Sequence, residues 1–70
     1  MVEAIDILIL EVELRLSPAY LNFVSSYIDQ NKTPPIKKDL IVQKYALSKL
    51  GYSDDQRSVD QYRDMIIRMP

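Results

Sequence analysis

One stretch of the sequence decides which fold is predicted: residues 10–18, which read LEVELRLSP. From Leu10 to Leu16 apolar and charged side chains alternate strictly, and this period of two residues is typical of a half-buried β-strand. We therefore predict a strand over residues 9–16, with its apolar side chains on one face. The opposite face would carry three charged side chains, namely Glu11, Glu13 and Arg15.

A helix over residues 2–14 is the alternative for the same segment. Ile5, Ile9 and Val12 are spaced as they would be on one face of an α-helix. The strict alternation favours the strand, but the helical spacing leaves both interpretations open. Circular dichroism would separate them, because a strand signal beside a high helix content indicates the first and helix alone indicates the second.

A helix is predicted to follow directly, from Pro18 to about Gln30, and we call it helix A. Ser17 can accept hydrogen bonds from the free backbone N–H groups of the first turn. Proline fits the first helical position, where its missing N–H removes no hydrogen bond. Apolar side chains then recur at intervals of three and four residues, at Tyr20, Leu21, Val24, Tyr27 and Ile28.

A second helix, helix B, is predicted from Pro34 to Leu50 after a turn at residues 31–35. Thr33 would cap its start, and Gly51 would end it in the left-handed conformation. Its apolar side chains cover much more than one face: Ile36, Leu40, Ile41, Val42, Tyr45, Ala46, Leu47 and Leu50. A helix that is apolar nearly all round must be buried on several sides, so we expect a second copy of the chain to cover it.

A third helix, helix C, is predicted to begin at residues 53–56, where a serine and a glutamine have the spacing of a capping box. Its apolar stripe is narrow: Val59, Tyr62, Met65, Ile66 and Met69. The stripe either packs on helices A and B or their copies in a dimer, or docks another protein through adaptable methionine-rich contacts. In the docking case the contact residues would be Tyr62, Met65, Ile66 and Met69. The predicted division is a domain over residues 1–52 and an added helix over residues 53–70.

The composition excludes several functional classes. The 70 residues include neither cysteine nor histidine, which removes disulfides, thiol catalysis, the usual general base and almost every zinc site. We therefore expect no enzyme, no bound metal and no cofactor. A core this small rarely contributes more than about 3–5 kcal/mol on its own, which again predicts self-association into a homodimer.

The sequence gives no sign of a membrane segment or of export. The longest apolar stretch, residues 7–10, is far shorter than the roughly 20 residues of a membrane span. The N-terminal segment is acidic, whereas a secretory signal begins with basic residues. We expect an intracellular, cytoplasmic protein.

The net charge of −1 hides an asymmetry along the chain. Residues 1–30 carry one basic side chain against five acidic ones, residues 31–50 carry five against one, and residues 51–70 carry three against four. The basic middle could face phosphate groups, or its lysines could simply be solvated.

The order of strand, Ser17-Pro18, helix, turn and buried helix resembles the ribbon-helix-helix (Arc/MetJ-like) family of DNA-binding proteins over residues 9–50. The resemblance implies a mainly α-helical fold with one N-terminal β-strand, in which two chains pair their strands into an antiparallel ribbon; here an extra C-terminal helix follows. It implies a dimeric transcription regulator, such as a repressor, that reads the major groove of double-stranded DNA. The side chains toward the bases would be Glu11, Glu13 and Arg15, and those toward the phosphates would be Lys32, Thr33, Lys37 and Lys38.

Two other functions stay open, because the predicted ribbon is acidic and the isoelectric point is about 5.2, whereas DNA-binding domains are mostly basic. In an antitoxin-like protein the same fold would bind DNA while helix C holds a toxin. In an all-helical interaction module of the phage or plasmid type, residues 2–14 would be helical and the partner would be a protein.

Overall fold

Four α-helices form the regular structure of the chain in a computed structural model that describes residues 2–53 and 58–69. In chain order they are α1 (Ala4–Leu14), α2 (Pro18–Asp29), α3 (Lys37–Lys49) and α4 (Val59–Arg68). Within the two described ranges there is no β-strand. The prediction of a ribbon-helix-helix fold with an N-terminal strand is therefore wrong, and the described chain is all-helical.

The predicted strand over residues 9–16 is replaced by α1 and the turn that follows it. Ile7, Leu10 and Leu14 recur at helical spacing and are buried. Val12, which the strand prediction placed on the same face as the leucines, is 73% exposed. A helix satisfies its backbone hydrogen bonds within one segment, whereas a single strand leaves both of its edges unpaired. The helical alternative for this segment is the one that the structure contains.

Both ends of α1 are held by local hydrogen bonds. At its start Glu3 and Asp6 form a capping box, in which the Glu3 N–H donates to the Asp6 carboxylate at 3.2 Å. At its end Arg15 adopts the left-handed conformation with φ 57°, and its N–H donates to the Glu11 carbonyl at 2.7 Å. Glycine is the usual residue at such a helix end, so the sequence carries no ordinary stop signal here.

The predicted start of α2 is confirmed. The Ser17 hydroxyl accepts a hydrogen bond from the Tyr20 N–H at 3.2 Å, and Pro18 occupies the first helical position. Leu21 and Val24 are buried, as the apolar stripe of helix A predicts. The Ser17-Pro18 step thus marks the point at which α2 begins.

α3 begins at Lys37 rather than at Pro34, and its N-cap is Ile36 rather than Thr33. The reason is the second proline, since a residue that precedes proline is disfavoured in the helical conformation. The predicted end is confirmed: Gly51 follows α3 in the left-handed region with φ 80°.

The core contains the apolar side chains of all four helices. α3 packs on α2 and α4, and α1 packs on the same two helices. The buried apolar residues are Val2, Ile7, Leu10, Leu14, Leu21, Val24, Ile41, Val42, Tyr45, Ala46 and Ile66. The broad apolar surface of α3 is therefore covered largely within one chain. It no longer supplies an argument for a second copy.

α4 completes the core from the C-terminal side of the chain. Its helix is described from Val59, with Ser58 as the N-cap, whereas most of the capping box predicted at residues 53–56 lies outside the described residues. Ile66 is buried, and the rest of the predicted stripe is half-buried against the core. The packing alternative for this helix is thus the one observed. None of the helices in the described ranges is long and apolar enough to span a membrane.

Candidate functional site

The side of α1 that faces solvent is apolar, and we call it the outer face of α1. It consists of Ile5, Leu8, Ile9 and Val12, which are between 42% and 73% exposed. Their spacing of three, four and seven residues from Ile5 places them on one side of the helix. They form one continuous stripe rather than scattered surface residues.

The opposite side of α1 is already used by the core. Ile7, Leu10 and Leu14 fill it and are buried. A helix on the surface of a globular protein is normally apolar on one side only, and one that is apolar all round needs cover on both sides. Within the described chain the outer face has no such cover, because all four of its side chains remain exposed or largely so.

Two shallow clefts run beside this face, where α1 meets the start of α2. Leu8, Glu11 and Pro18 line both of them. One cleft holds about 180 Å³ and reaches Asn22; the other holds about 590 Å³ and reaches Arg15. The outer face therefore combines projecting side chains with hollows into which similar side chains could fit.

The three residues predicted to contact DNA bases do not all lie together: Glu11 and Arg15 line one cleft, whereas Glu13 lies toward α3. Glu11 lines the clefts beside α2. Glu13 turns to α3 instead, where its carboxylate accepts a hydrogen bond from the Tyr45 hydroxyl at 2.5 Å and lies 3.4 Å from the Lys49 ammonium. Arg15 is exposed in the turn after α1.

The electrostatics of Glu13 follow from these contacts. The hydrogen bond from Tyr45 lowers the pKa of the Glu13 carboxyl, burial opposes this effect, and the charge of Lys49 adds to it. Burial, and then the same bond, raises the pKa of the Tyr45 phenol. Glu13 is therefore an ionised structural link between α1 and α3 at neutral pH.

The four residues predicted to contact phosphates are spread over two places. Lys32, Thr33 and Lys37 are exposed, the first two beside a pocket that Gln43 also lines. Lys38 is half-buried, with its ammonium 5.8 Å from the centre of the Tyr20 ring. Lys32 and Thr33 thus line a pocket that neither Lys37 nor Lys38 lines.

The predicted docking residues of the last helix lie against the core of their own chain. Ile66 is buried, and Tyr62, Met65 and Met69 are half-buried. The exposed apolar residue of this helix is Ile67, which was not predicted.

A cavity of about 430 Å³ brings together several residues that the sequence analysis had assigned to separate roles. It lies between the end of α1, the first turn of α3 and α4, and its lining includes Glu13, Arg15, Lys38, Ile66 and Met69. Arg63 also lines it, and no sequence signal pointed to that residue. The outer face of α1 did have a signal, because the helical spacing of three of its four residues was visible beside the alternation.

Among the described residues no group of acidic side chains could hold a metal ion. Comparison with known proteins gives no match: no protein-family model fits the sequence, and neither a curated protein nor a solved structure resembles it significantly.

Proposed function

We propose that this chain is a helical protein-interaction module that associates with a second copy of itself through the outer face of α1. The observation that carries the proposal is the exposure of four large apolar side chains on a helix whose other side is already buried. Continuous apolar patches of this kind mark protein-protein contacts on otherwise polar surfaces.

The size of the face supports a second copy as its occupant. The lower range for stable interfaces is about 600 Å² per copy, which the four exposed apolar side chains and a polar rim around them would have to supply. That area is about an eighth of the 4754 Å² that the whole chain exposes, close to the share of roughly a tenth that interfaces on small proteins use.

Symmetry supports the same occupant. A two-fold axis brings identical patches together, so a patch must be complementary to itself. Two α1 helices can pack antiparallel with the two-fold axis between Leu8 and Ile9. Leu8 of one copy then contacts Ile9 of the second copy, and Ile5 contacts Val12 of the second copy. The stripe itself holds no charged side chain, so pairing two copies through it buries no charge.

DNA binding stays a prediction, and the arrangement described above gives it less support. Its base contacts depended on one strand face for Glu11, Glu13 and Arg15, whereas Glu13 and Glu11 lie toward different neighbours of α1. The all-helical interaction module was the alternative drawn from the sequence, and it agrees with the helical form of residues 4–14.

Sedimentation equilibrium of the wild-type chain and two variants tests the proposal. We expect the wild type at about 100 µM, a concentration at which a micromolar interface is nearly saturated, to have twice the chain mass of 8.2 kDa. Leu8→Glu should sediment as a folded monomer, because it places a charge in the middle of the interface. Ile67→Glu is the matched control, since Ile67 is a similarly exposed apolar residue on α4, and it should remain dimeric.

Circular dichroism of each variant checks that the helices are intact. A wild-type chain that sediments as a monomer at this concentration would contradict the proposal. So would a Leu8→Glu variant that is folded and dimeric.

A further inference from the structure

The cavity at the end of α1 is lined by three basic side chains from three separate elements. Arg15 comes from the turn after α1, Lys38 from the first turn of α3 and Arg63 from α4. Residues far apart in the sequence thus place positive charge around one volume of about 430 Å³. This volume is within the range of roughly 300–1,000 Å³ that small-molecule sites occupy.

Glu13, the acidic residue in the lining, offsets only part of this charge. The charge of Arg63 is one of the causes that lower the pKa of the Glu13 carboxyl, but three basic side chains line the cavity with this one acidic group. Glu13 already pairs with Lys49, whose ammonium lies 3.4 Å away, and accepts the Tyr45 hydroxyl. Within residues 2–53 and 58–69, Arg15 and Arg63 form no ion pair. The surroundings of the cavity therefore have an excess of positive charge that an anion would offset.

The remaining lining is aliphatic. Leu16 and Met69 are half-buried against the core, and Ile67, which also lines the cavity, is exposed. Apolar walls with a few convergent charged groups are typical of sites that bind a small organic molecule rather than a bare ion.

From this arrangement we propose that the cavity binds a phosphate monoester carried on a compact apolar or aromatic body. A phosphate monoester has close to two negative charges at neutral pH and three strong acceptor oxygens. One guanidinium group can donate two parallel hydrogen bonds to two phosphate oxygens, whereas a lysine ammonium acts as a point charge. The aliphatic wall beside Ile67 would contact the apolar body.

Phenyl phosphate is a suitable probe, followed by amide chemical shifts in ¹H–¹⁵N NMR spectra at about pH 7.5, where the ester is mainly a dianion. We expect saturable shifts centred on Arg15, Lys38 and Arg63. Inorganic phosphate lacks the apolar body of phenyl phosphate, and benzyl alcohol lacks its phosphate group. Each should bind at least about tenfold more weakly than phenyl phosphate, because each loses the contacts of the missing part. Equal binding of inorganic phosphate would overturn the role of the apolar wall.

Matched variants test the role of the charges. Arg63→Gln should weaken phenyl phosphate binding by roughly three- to tenfold through loss of a charge-assisted contact. Arg68→Gln removes the same charge from an exposed site on the same helix that does not line the cavity, and it should leave binding unchanged. Arg15→Asn should also weaken binding, because it removes a guanidinium group from the cavity. Asparagine is chosen because it tolerates the left-handed conformation of this position.

Equal effects of the Arg63 and Arg68 variants would overturn the proposal. A short DNA duplex is the last arm of the experiment. If the duplex binds more tightly than phenyl phosphate and its shifts extend to Lys32, Lys37 and Lys44, the cavity is not a small-ligand site and the proposal is wrong.

Discussion

The side chain of Tyr45 crosses from the middle of α3 to the last turn of α1. Its residue is fully buried, yet its hydroxyl reaches the half-buried Glu13 carboxylate at 2.5 Å. A buried phenol needs a hydrogen-bond partner, and here the partner is an ionised group 32 residues away in the sequence. One hydrogen bond therefore both satisfies the phenol and fixes the position of α1 on α3.

Tyr45→Phe should raise the pKa of the Glu13 carboxyl, because the hydrogen bond from Tyr45 is the largest cause of its lowering. Lys49→Met should also raise it, since the charge of Lys49 and its hydrogen bond both lower the pKa of Glu13. The first variant should also lose about 1.5–3 kcal/mol of stability, as expected for a bond to a charged group. Carboxyl ¹³C shifts recorded against pH measure the pKa. No change in Tyr45→Phe would contradict the assignment.

Arg15 is a residue in a conformation that its side chain disfavours. Left-handed φ values, such as the 57° of Arg15, cost an ordinary residue about 1–2 kcal/mol that glycine does not incur. Arg15→Gly should therefore stabilise the fold by about 0.5–1 kcal/mol after the extra backbone entropy of glycine is counted.

Asn31→Gly is the control for that substitution. Asn31 has nearly the same φ of 56°, but asparagine tolerates it better, so the gain should be smaller. Thermal unfolding of both variants measures the difference. An Arg15→Gly variant that melts below the wild type would show that contacts of the arginine side chain outweigh the strain.

At the scale of the elements, α1 is the one that the sequence misleads about. Strict alternation from Leu10 to Leu16 is compatible with a strand, but the same residues place Leu10 and Leu14 on one side of a helix. The charged residues between them then separate, with Glu11 beside α2 and Glu13 bonded to α3. Only packing against distant parts of the chain decides between the two-residue period of a strand and the 3.6-residue period of a helix. A pattern of seven residues contains no information about that packing.

The elements with strong local signals were predictable. Ser17 and Pro18 fix the start of α2, and Gly51 follows the end of α3, because capping and left-handed backbone depend on the residues at those positions. The cationic cavity was not predictable, since Arg15, Lys38 and Arg63 meet only after three elements have packed. The sequence shows that these three residues are basic, but it does not show that they line the same cavity.

The role of α4 in the core gives a prediction with its own control. Ile66 is 3% exposed, while the adjacent Ile67 is 54% exposed. Ile66→Ala should cost about 2–4 kcal/mol because it leaves a cavity between α4 and the core, whereas Ile67→Ala should change stability by less than about 0.5 kcal/mol. Urea unfolding measures both. Equal losses would mean that α4 does not pack as described.

At the scale of the whole molecule, three tyrosine-carboxylate hydrogen bonds within residues 2–53 and 58–69 join distant segments. Tyr20 donates to Asp39 at 2.5 Å, Tyr45 donates to Glu13 at 2.5 Å, and Tyr52 donates to Asp6 at 2.6 Å. The first two link α3 to α2 and to α1, and the third links the segment after α3 to the start of α1. In a small chain without disulfides, such bonds help to fix how the helices are oriented, because apolar contacts alone are non-directional.

These bonds give the fold a predicted sensitivity to alkaline pH. Burial first, and then the bond to a carboxylate, raises the pKa of Tyr20 and of Tyr45, and the bond to Asp6 raises the pKa of Tyr52 to about 12. An unfolded tyrosine has a pKa of about 10. Above that pH the unfolded chain releases phenol protons that the folded chain retains, so stability falls with rising pH.

Below about pH 9 we expect these tyrosines to cause almost no change in the free energy of unfolding with pH. Between about pH 10 and pH 12 we expect the free energy of unfolding to fall. Urea unfolding at a series of pH values measures this, and absorbance at 295 nm follows phenolate formation. A Tyr20→Phe, Tyr45→Phe double variant should be less stable at neutral pH but should lose less of its remaining stability above pH 10, because two of the retained protons are gone. If the wild type and the double variant fall in parallel across this range, the buried phenols are not the groups that couple the fold to pH.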